Sequence, residues 1–472
     1  MSQNIRQALE AAAARSGCGH HDLDRFAGHL ENLAPYRAAR INPFEFAEEA
    51  EMEPETAVDL FVHGAKLGVF DLEWGMICPL CGGITNSVAQ LDLVAEDQLF
   101  CKLCDRPSES VLDDTVEVSF AYAAPGTSLD LHSDFTTYQH YYTSSSYPYR
   151  DDWRSYHERH TIGDLRLEPG QMAEMMLNLR ADEAYRLLCL DTHAGAELIT
   201  DRSGPDSADL ILGEEGFSAD VISLSAGNRS LALTNQTDQS VWCRVLERDM
   251  DDLAAIFGKG PARFGRRLTG KHLLNNQAFR DSFAVDDLAP DLRLKLRSLT
   301  LLFTDLKGST ALYDREGDIA AYRLVQNHFS VLKKVVRSHS GAVIKTMGDA
   351  IMAAFPSGND GAAAAIAMMG EMQKLSEGHR QGEVGLKVGL HAGPALAINA
   401  GTNLDYFGRT VNIAARVQGM ADAGEICLTR SLYDDGGVPD LLTQSGFSGV
   451  AEMARLKGVT AEEQVYRYRT AS

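Results

Sequence analysis

Leu299-Thr300-Leu301-Leu302-Phe303-Thr304-Asp305-Leu306-Lys307-Gly308-Ser309-Thr310 is an apolar run closed by a carboxylate and followed by a short glycine turn. The run reads as a buried strand. Lys307-Gly308-Ser309-Thr310 reads as a helix entry whose free backbone N–H groups can receive phosphate oxygens. A second run, Val343-Ile344-Lys345-Thr346-Met347-Gly348, ends in the same way at Asp349. Hard Mg²⁺ or Mn²⁺ held by one or two carboxylates plus substrate phosphates is the usual arrangement for phosphoryl and nucleotidyl transfer, and two aspartates at strand ends suit it. Taken singly, each aspartate is as well explained as a helix N-cap.

Outward from these turns the order of elements is regular. After the Asp305 strand comes an amphipathic helix from Thr310 to about Ser338, then two strands flanking Gly348-Asp349, and a helix through Ala362–Met369. A strand at Leu386–His391, a helix carrying Asn412, a strand at Glu425–Leu428 and a closing strand at Val465–Tyr468 complete it. This is a β-α-β-β-α-β layout, one sheet backed by helices. Asn412 and Arg416 are four residues apart and share a helix face. Lys345 and Asp405 supply an ammonium that can donate to a purine ring nitrogen and a carboxylate that can accept from an exocyclic amine. Adenine presents that pair, whereas guanine offers a carbonyl oxygen and a ring N–H. Alone, a lysine beside a strand is normally solvated and an Asn-x-x-x-Arg face is often plain polar surface.

Together with Leu404-Asp405-Tyr406-Phe407-Gly408-Arg409-Thr410-Val411-Asn412-Ile413-Ala414-Ala415-Arg416, these segments resemble the catalytic domain of the class III nucleotide cyclases, over roughly the last 175 residues, from about Ser298 to Tyr468. Three separated motifs agree in order and spacing. The resemblance implies a ferredoxin-like βαββαβ domain in which Asp305 and Asp349 bind two Mg²⁺ or Mn²⁺ ions. It implies that Gly308, Ser309 and Thr310 receive phosphate, that Lys345 and Asp405 read the purine, and that Asn412 and Arg416 orient the ribose and stabilise the transition state. Lys457, in Leu456-Lys457-Gly458, lies near where the family often carries a further phosphate-contacting lysine. The family pairs two such domains head to tail, so a homodimer with two shared sites is expected. The activity implied is ATP to 3′,5′-cyclic AMP and pyrophosphate. The alternatives are a guanylate cyclase, which Lys345 and Asp405 disfavour, and a non-catalytic sensor with a silent cyclase fold.

A chain of 472 residues is too long for one domain, and 44% hydrophobic residues can build real cores. The expected division is a helical, winged-helix-like segment at 1–76, a zinc ribbon at 77–113, a β-sandwich at 114–250, a linker or transducer at 251–297 and the cyclase domain at 298–472, a multidomain α+β protein. No apolar stretch is long enough for a membrane span and Met1-Ser2-Gln3-Asn4-Ile5-Arg6 lacks a signal core, which reads as a soluble cytoplasmic protein. A net charge of −22 argues against nucleic acid or anionic membrane as a partner.

Cys78-Pro79-Leu80-Cys81 and Cys101-Lys102-Leu103-Cys104 are two Cys-x-x-Cys knuckles 19 residues apart, within the zinc-ribbon range. Four thiolates fill the shell of one Zn²⁺, which would be structural; a redox dithiol or reduced, unligated cysteines are the rival readings. Cys18, Cys189, Cys243 and Cys427 are single and read as packed side chains. Asn42-Pro43 and Pro54 start helices, the second ending at Leu67-Gly68 before the extended Val69–Trp74. In a winged helix the DNA-entering helix would carry Glu55 and Asp59, which repel phosphates, so the segment reads as a packing or regulatory module.

From Asp114 to Asp249 short alternating strands, Val116–Phe120 among them, predict the sandwich. The stretch from Phe135 through Tyr138, His140, Tyr141, Tyr142, Tyr147, Tyr149 and Trp153 to His157 and His160 can line a pocket for a small-molecule regulator or bind a metal; more commonly such a segment is a loop packed on a sheet. Asn275–Phe283 and Asp286–Pro290 read as a charged connector, partly helical, through which the N-terminal half would shift the meeting of two catalytic domains.

Overall fold

The computed structural model describes residues 2–88, 98–102, 104, 106–109, 115–122, 135–258, 264–283, 293–308, 318–377, 385–400, 404–458 and 462–470. It is a mixed α+β, multidomain structure. The chain opens with α1 (Gln3–Ser16), α2 (His20–Glu31), α3 (Pro35–Ala38), α4 (Pro43–Glu49) and α5 (Pro54–Lys66). The helix starts read in the sequence are in place: Asn42 accepts from the Phe44 amide at 3.1 Å and Pro54 is the first residue of α5. Phe26, Phe46 and Phe61 bring these helices together, their ring centroids 4.8–5.0 Å apart.

β1 (Asp71–Ile77) pairs antiparallel with β2 (Ile84–Val88) and with β5 (Val116–Ala121), while β3 (Gln98–Cys101) and β4 (Arg106–Glu109) form a hairpin. Val116–Phe120 is therefore not a strand of the sandwich. Its Val116, Val118 and Phe120 are buried in the core of the N-terminal helices, which claims their apolar face. The aromatic stretch expected as a loop is helical instead, as α6 (Phe135–Tyr142) and α7 (Arg150–His160). Tyr138 and Tyr142, like Trp153 and Tyr156, are spaced to fall on one helix face, and that face is where the segment packs.

The sandwich follows as β6 (Thr161–Leu167), β7 (Met172–Leu179), β8 (Ala184–Cys189), β9 (Ala194–Thr200), β10 (Ser207–Gly213), β11 (Gly216–Phe217), β12 (Val221–Leu224), β13 (Gly227–Asn235) and β14 (Val241–Glu247). Sheets β11-β10-β13-β7 and β12-β9-β8-β14-β6 share a core of Leu177, Leu187, Leu198, Leu231 and Val245. Then come α8 (Met250–Phe257), α9 (Gly270–Leu274) and α10 (Gln277–Ser282).

The C-terminal part comprises β15 (Arg293–Lys307), α11 (Asp318–Ser338), β16 (Ala342–Met347), β17 (Ala350–Phe355), α12 (Gly358–Glu377), β18 (Gly385–Asn399), β19 (Leu404–Phe407), α13 (Arg409–Gln418), β20 (Glu425–Thr429), α14 (Arg430–Tyr433), α15 (Val438–Gln444), β21 (Phe447–Ala454) and β22 (Glu463–Thr470). One sheet runs β16-β17-β15-β18-β20-β22-β21, with β19 paired to β18. The first four strands are mutually antiparallel and β18 meets β20 in parallel. Alternation along the strands divides the side chains between two layers. Leu302, Ile351, Ala353 and Leu390 pack with Leu332 and Val336 of α11, Met368 of α12 and Leu442 of α15. Leu301, Phe303, Met352 and Ala354 face the other way and join Leu273, Ala278 and Phe279 in a core continuous with the N-terminal helices. Within the expected connector, Asn275–Phe283 thus has a buried apolar face, through which one core is continuous with both halves, while Asp286–Pro290 lies outside the described residues.

Candidate functional site

Asp305 lies near the end of β15 directly opposite Lys387 of β18, with Nζ 4.0 Å from Oδ2. The Thr304 hydroxyl accepts from the Ile351 amide at 3.1 Å. That bond ties the end of β15 to the start of β17 and brings the Gly348-Asp349 turn alongside Asp305. Asp349 Oδ2 is buried without a hydrogen-bond partner. A buried orphan carboxylate oxygen is costly unless a cation or donor arrives, so the Asp305 and Asp349 donor set fits a hard divalent metal. His328 of α11, 1% exposed, adjoins this turn: burial pushes its imidazole down to about 4, against the pull of Asp349, so it stands neutral near pH 7. Gly308 follows β15 directly; Ser309 and Thr310 lie outside the described residues.

Lys345 Nζ and Asp405 Oδ2 are 2.6 Å apart, joining β16 to β19 across 60 residues of chain. The other carboxylate oxygen, Oδ1, accepts from the Tyr406 amide at 2.8 Å, which fixes the plane of the group. Lys345 follows a bulge in β16, where the register with β17 shifts between Val343 and Lys345. Bulges re-aim the side chains beside them. Asn412 and Arg416 are exposed on α13, whose other face buries Thr410, Ile413, Ala414 and Val417. A Cβ at Gly389 would meet the Gln418 amide nitrogen at 2.1 Å, so the end of α13 lies against β18 only because residue 389 has no side chain. Lys457 is exposed just after the buried Leu456. Sequence reading did not single out Lys387 or His328: Lys387 is chosen by strand register and His328 by helix packing, and neither leaves a motif.

Cys78, Cys81, Cys101 and Cys104 have sulfurs all within 4.8 Å of one another, the first three buried. Cys78 lies 3.6 Å from Cys104 and Cys81 3.7 Å from Cys101. A Zn–S distance of about 2.3 Å in a tetrahedron sets sulfur–sulfur edges of about 3.8 Å, which these two separations match, so the donor set fits Zn²⁺. Hydrogen bonds from Cys101, Cys104 and Cys81 hold Cys78 well below the ordinary thiol range, while its sulfur neighbours push Cys81 up. Four thiols this close resist ionising together, and a bound Zn²⁺ would let all four do so. Gly82, at φ 66, closes the first knuckle, and a Cβ there would strike the Tyr147 ring at 2.3 Å. Tyr147, Trp153 and Tyr156 cover the cluster. On the other side Arg186 donates twice to the Lys102 carbonyl, at 2.6 and 3.1 Å, and His193 Nε2 accepts from the Lys102 amide at 3.0 Å. Of the other aromatics, Tyr138 and Tyr142 donate to Asp191 at 2.7 and 3.0 Å, and Tyr141 donates to Glu73 at 3.3 Å.

Two further features have simpler explanations. His160, Asp249 and Asp252 also gather, but Asp249 caps α8 and Asp252 takes Arg159 and His160, each at 2.9 Å. In a cleft lined by Tyr36, Arg37, Arg40, His140 and Arg150, Arg37 is answered by Glu49 at 2.8 Å and Arg40 by Glu73 at 3.5 Å, while Arg150 donates to the Ser145 carbonyl at 3.2 Å.

The α5 face that sequence reading offered to DNA is occupied. Asp59 takes Arg337 of α11 (Nε at 3.1 Å) and Asn276 (2.9 Å), and Glu55 accepts from Ser340 at 2.7 Å. Among the described residues no helix is long and apolar enough to cross a membrane.

Residues 294–460 match the adenylate and guanylate cyclase catalytic domain, and residues 13–281 match a family of unknown function, DUF5939. An adenylate cyclase of Anabaena cylindrica is 30% identical over 159 residues, 30% of this chain and 32% of that protein. One of Lachancea kluyveri is 30% identical over 165 residues, 30% of this chain and 9% of that protein. The chain thus spans a third or less of either relative. The adenylyl cyclase CyaB of P. aeruginosa superposes at a TM-score of 0.33 and 21% identity, covering 38% of this chain and 97% of that one. The DUF5939 match takes in more than half of the sequence, and the chain belongs to that family, with a cyclase catalytic domain following it.

Proposed function

We propose that the chain is a class III adenylate cyclase that converts ATP to 3′,5′-cyclic AMP and pyrophosphate as a homodimer, under control of its N-terminal half. The observation that carries this reading is the 2.6 Å Lys345–Asp405 pair, a donor and an acceptor side by side as adenine requires, held on β16, which leads into the Gly348-Asp349 turn, and on β19, which reaches the Asp305 strand through β18. In this reading Lys345 donates to a ring nitrogen, Asp405 accepts from the exocyclic amine, Asn412 hydrogen-bonds near the ribose, and Arg416 offsets charge at the phosphorus. Mg²⁺ or Mn²⁺ on Asp305 and Asp349, when bound, lowers the cost of deprotonating the 3′-hydroxyl and neutralises the departing pyrophosphate. Gly308, Ser309, Thr310 and, less centrally, Lys457 receive phosphate.

The homodimer is supported by Met347, 41% exposed, and Phe407, 64% exposed, apolar side chains flanking the Lys345–Asp405 pair. Asp305 and Asp349 of one subunit would meet Lys345, Asp405, Asn412 and Arg416 of the other. The strand order supports a ferredoxin-like core for 298–472, and the α4-α5-β1 succession a winged-helix-like packing module ahead of the zinc ribbon, all in a cytoplasmic enzyme. Product analysis with ATP or GTP and Mn²⁺ tests the activity: cyclic GMP alone sinks the adenylate assignment, and no cyclic product at all sinks the enzyme. Mixing Asp305→Ala with Asn412→Ala chains tests the shared site. Restored turnover is expected, and a silent mixture overturns it.

A further inference from the structure

Short α10, on the DUF5939 side of the chain, grips the two strands that carry Lys345 and Asp405. On the β19 side, Arg280 donates to the carbonyls of Leu274, at 3.0 Å, and of Leu404, and its guanidinium sits 5.7 Å from the Tyr406 ring centroid. The Tyr406 hydroxyl in turn donates to Asn275 Oδ1 at 2.9 Å. Both neighbours of Asp405 are thereby tied to the α9–α10 segment. On the β16 side, the Val343 amide donates to Gln277 Oε1 at 2.8 Å, at the point where the register with β17 breaks and two residues before Lys345. A bulge leaves a backbone group without its ladder partner, and here a side chain of α10 takes it. The far side of α10 is tied to α5: Asn276 donates to Asp59 at 2.9 Å, and Ser282 meets His63 at 3.1 Å. The bracket lies outside the proposed nucleotide contacts, yet it spans the two strands whose separation sets the Lys345–Asp405 distance.

We infer that Gln277 and Arg280 are positioning residues that fix the relative placement of Lys345 and Asp405, so that purine selectivity in the catalytic domain is held by the DUF5939 region. The inference rests on the adenylate cyclase reading. A purine is discriminated by one donor and one acceptor at fixed spacing, and a shift of a few tenths of an ångström in one strand weakens both hydrogen bonds to adenine while sparing groups that act on ribose and phosphorus. Loss of the bracket should therefore appear in KM and in the ATP-to-GTP ratio rather than in kcat.

The test uses the full chain with Mn²⁺, measuring kcat and KM for ATP and GTP in wild type, Gln277→Leu, Arg280→Met and Tyr406→Phe. Gln277→Glu, which keeps an acceptor for the Val343 amide, is the conservative control. Expected is a rise in KM for ATP of about tenfold, with kcat within about threefold, and an ATP-to-GTP preference reduced at least about fivefold in Gln277→Leu and Arg280→Met. Gln277→Glu should hold the wild-type ratio, and Tyr406→Phe, the mildest change, should shift it in the same direction if Arg280→Met proves too unstable to assay. An unchanged ratio in active variants, or an equal fall in kcat on both nucleotides with a lowered melting temperature, reduces the bracket to a structural role and overturns the inference. A wild type that prefers GTP overturns the adenylate assignment alone, because the variants' ratio still reports the bracket. A wild type that cyclises neither overturns both.

Discussion

Two regions of this molecule have the donor sets of metal sites, and they are built in opposite ways. The N-terminal cluster offers four sulfurs within 4.8 Å of one another, three of them buried, roofed by Tyr147, Trp153 and Tyr156. The C-terminal pair offers two carboxylates at strand ends, one facing Lys387 at 4.0 Å and the other with an oxygen buried and unanswered. A closed shell of four ligands leaves no place for a reactant and serves folding; an incomplete shell leaves the remaining positions to substrate. The sharpest way to break the comparison is at the carboxylates. Asp349→Asn or Asp305→Asn should lower cyclic AMP formation by at least about 10³-fold while the melting temperature stays within about 2 °C. A variant retaining a tenth of wild-type activity would show that these carboxylates are not the site of the chemistry.

The opposite signature belongs to the thiols. Cys101→Ser removes a candidate ligand whose side chain is fully buried; the expected outcome is loss of the one zinc ion per chain that native mass spectrometry should find in wild type, and a melting temperature lower by about 10 °C. A zinc-free wild type of equal stability would undo the structural assignment.

Acid separates the two regions a third way. His328 and His391, 1% and 7% exposed, are both pushed down to about 4, with burial the main cause in each. Their folded values lie below the ordinary one near 6.5, so the unfolded chain binds more protons between those limits. The stability they contribute is complete above about 6.5 and is lost as pH falls toward 4. A melting temperature about 5 °C lower at pH 4.5 than at pH 7 is expected, with part of that slope removed in His328→Gln. Metal content measured in parallel tells the histidines from protonation of the thiolates, which would release zinc. A flat profile with zinc retained would contradict the neutral burial of these rings.

How much was legible in the sequence follows the same division. The catalytic half could be read because its candidate residues sit at strand ends and on one helix face, where period and turn residues fix positions: Asp305 lies near the end of β15, Asp349 in the turn after β16, and Asn412 with Arg416 on the exposed face of α13. The Cys-x-x-Cys pairs were legible for the same local reason. Val116–Phe120 was misassigned because an alternating strand does not say which sheet it joins; only the burial of Phe120 among the N-terminal helices decides that. The helices α6 and α7 were missed because aromatic and polar residues carry weak helix propensity, and packing on Asp191 and the cysteine cluster overrides it. Arg280 and Gln277 left no trace, since they act by gripping backbone far away in sequence.

The smallest effect is expected at the seam between the halves, where α5 meets α11. Glu55 accepts from Ser340 at 2.7 Å, and burial raises its carboxyl above the ordinary glutamate range, the Ser340 hydrogen bond opposing and neighbouring Asp59 adding to the rise. A raised folded value means that the seam is best served by a protonated Glu55. That contribution is present below the unfolded value of about 4.3 and is lost as pH rises through the raised one. Glutamine keeps an acceptor for Ser340 and carries no charge, so Glu55→Gln should raise the melting temperature by about 1–2 °C at pH 7 and leave it unchanged at pH 4, where wild type is itself neutral. Equal gains at both pH values would trace the effect to packing rather than charge. A loss at pH 7 would mean that attraction to Arg266 outweighs the cost of burial, and that the acidic face of α5 is held against the catalytic half by its charge.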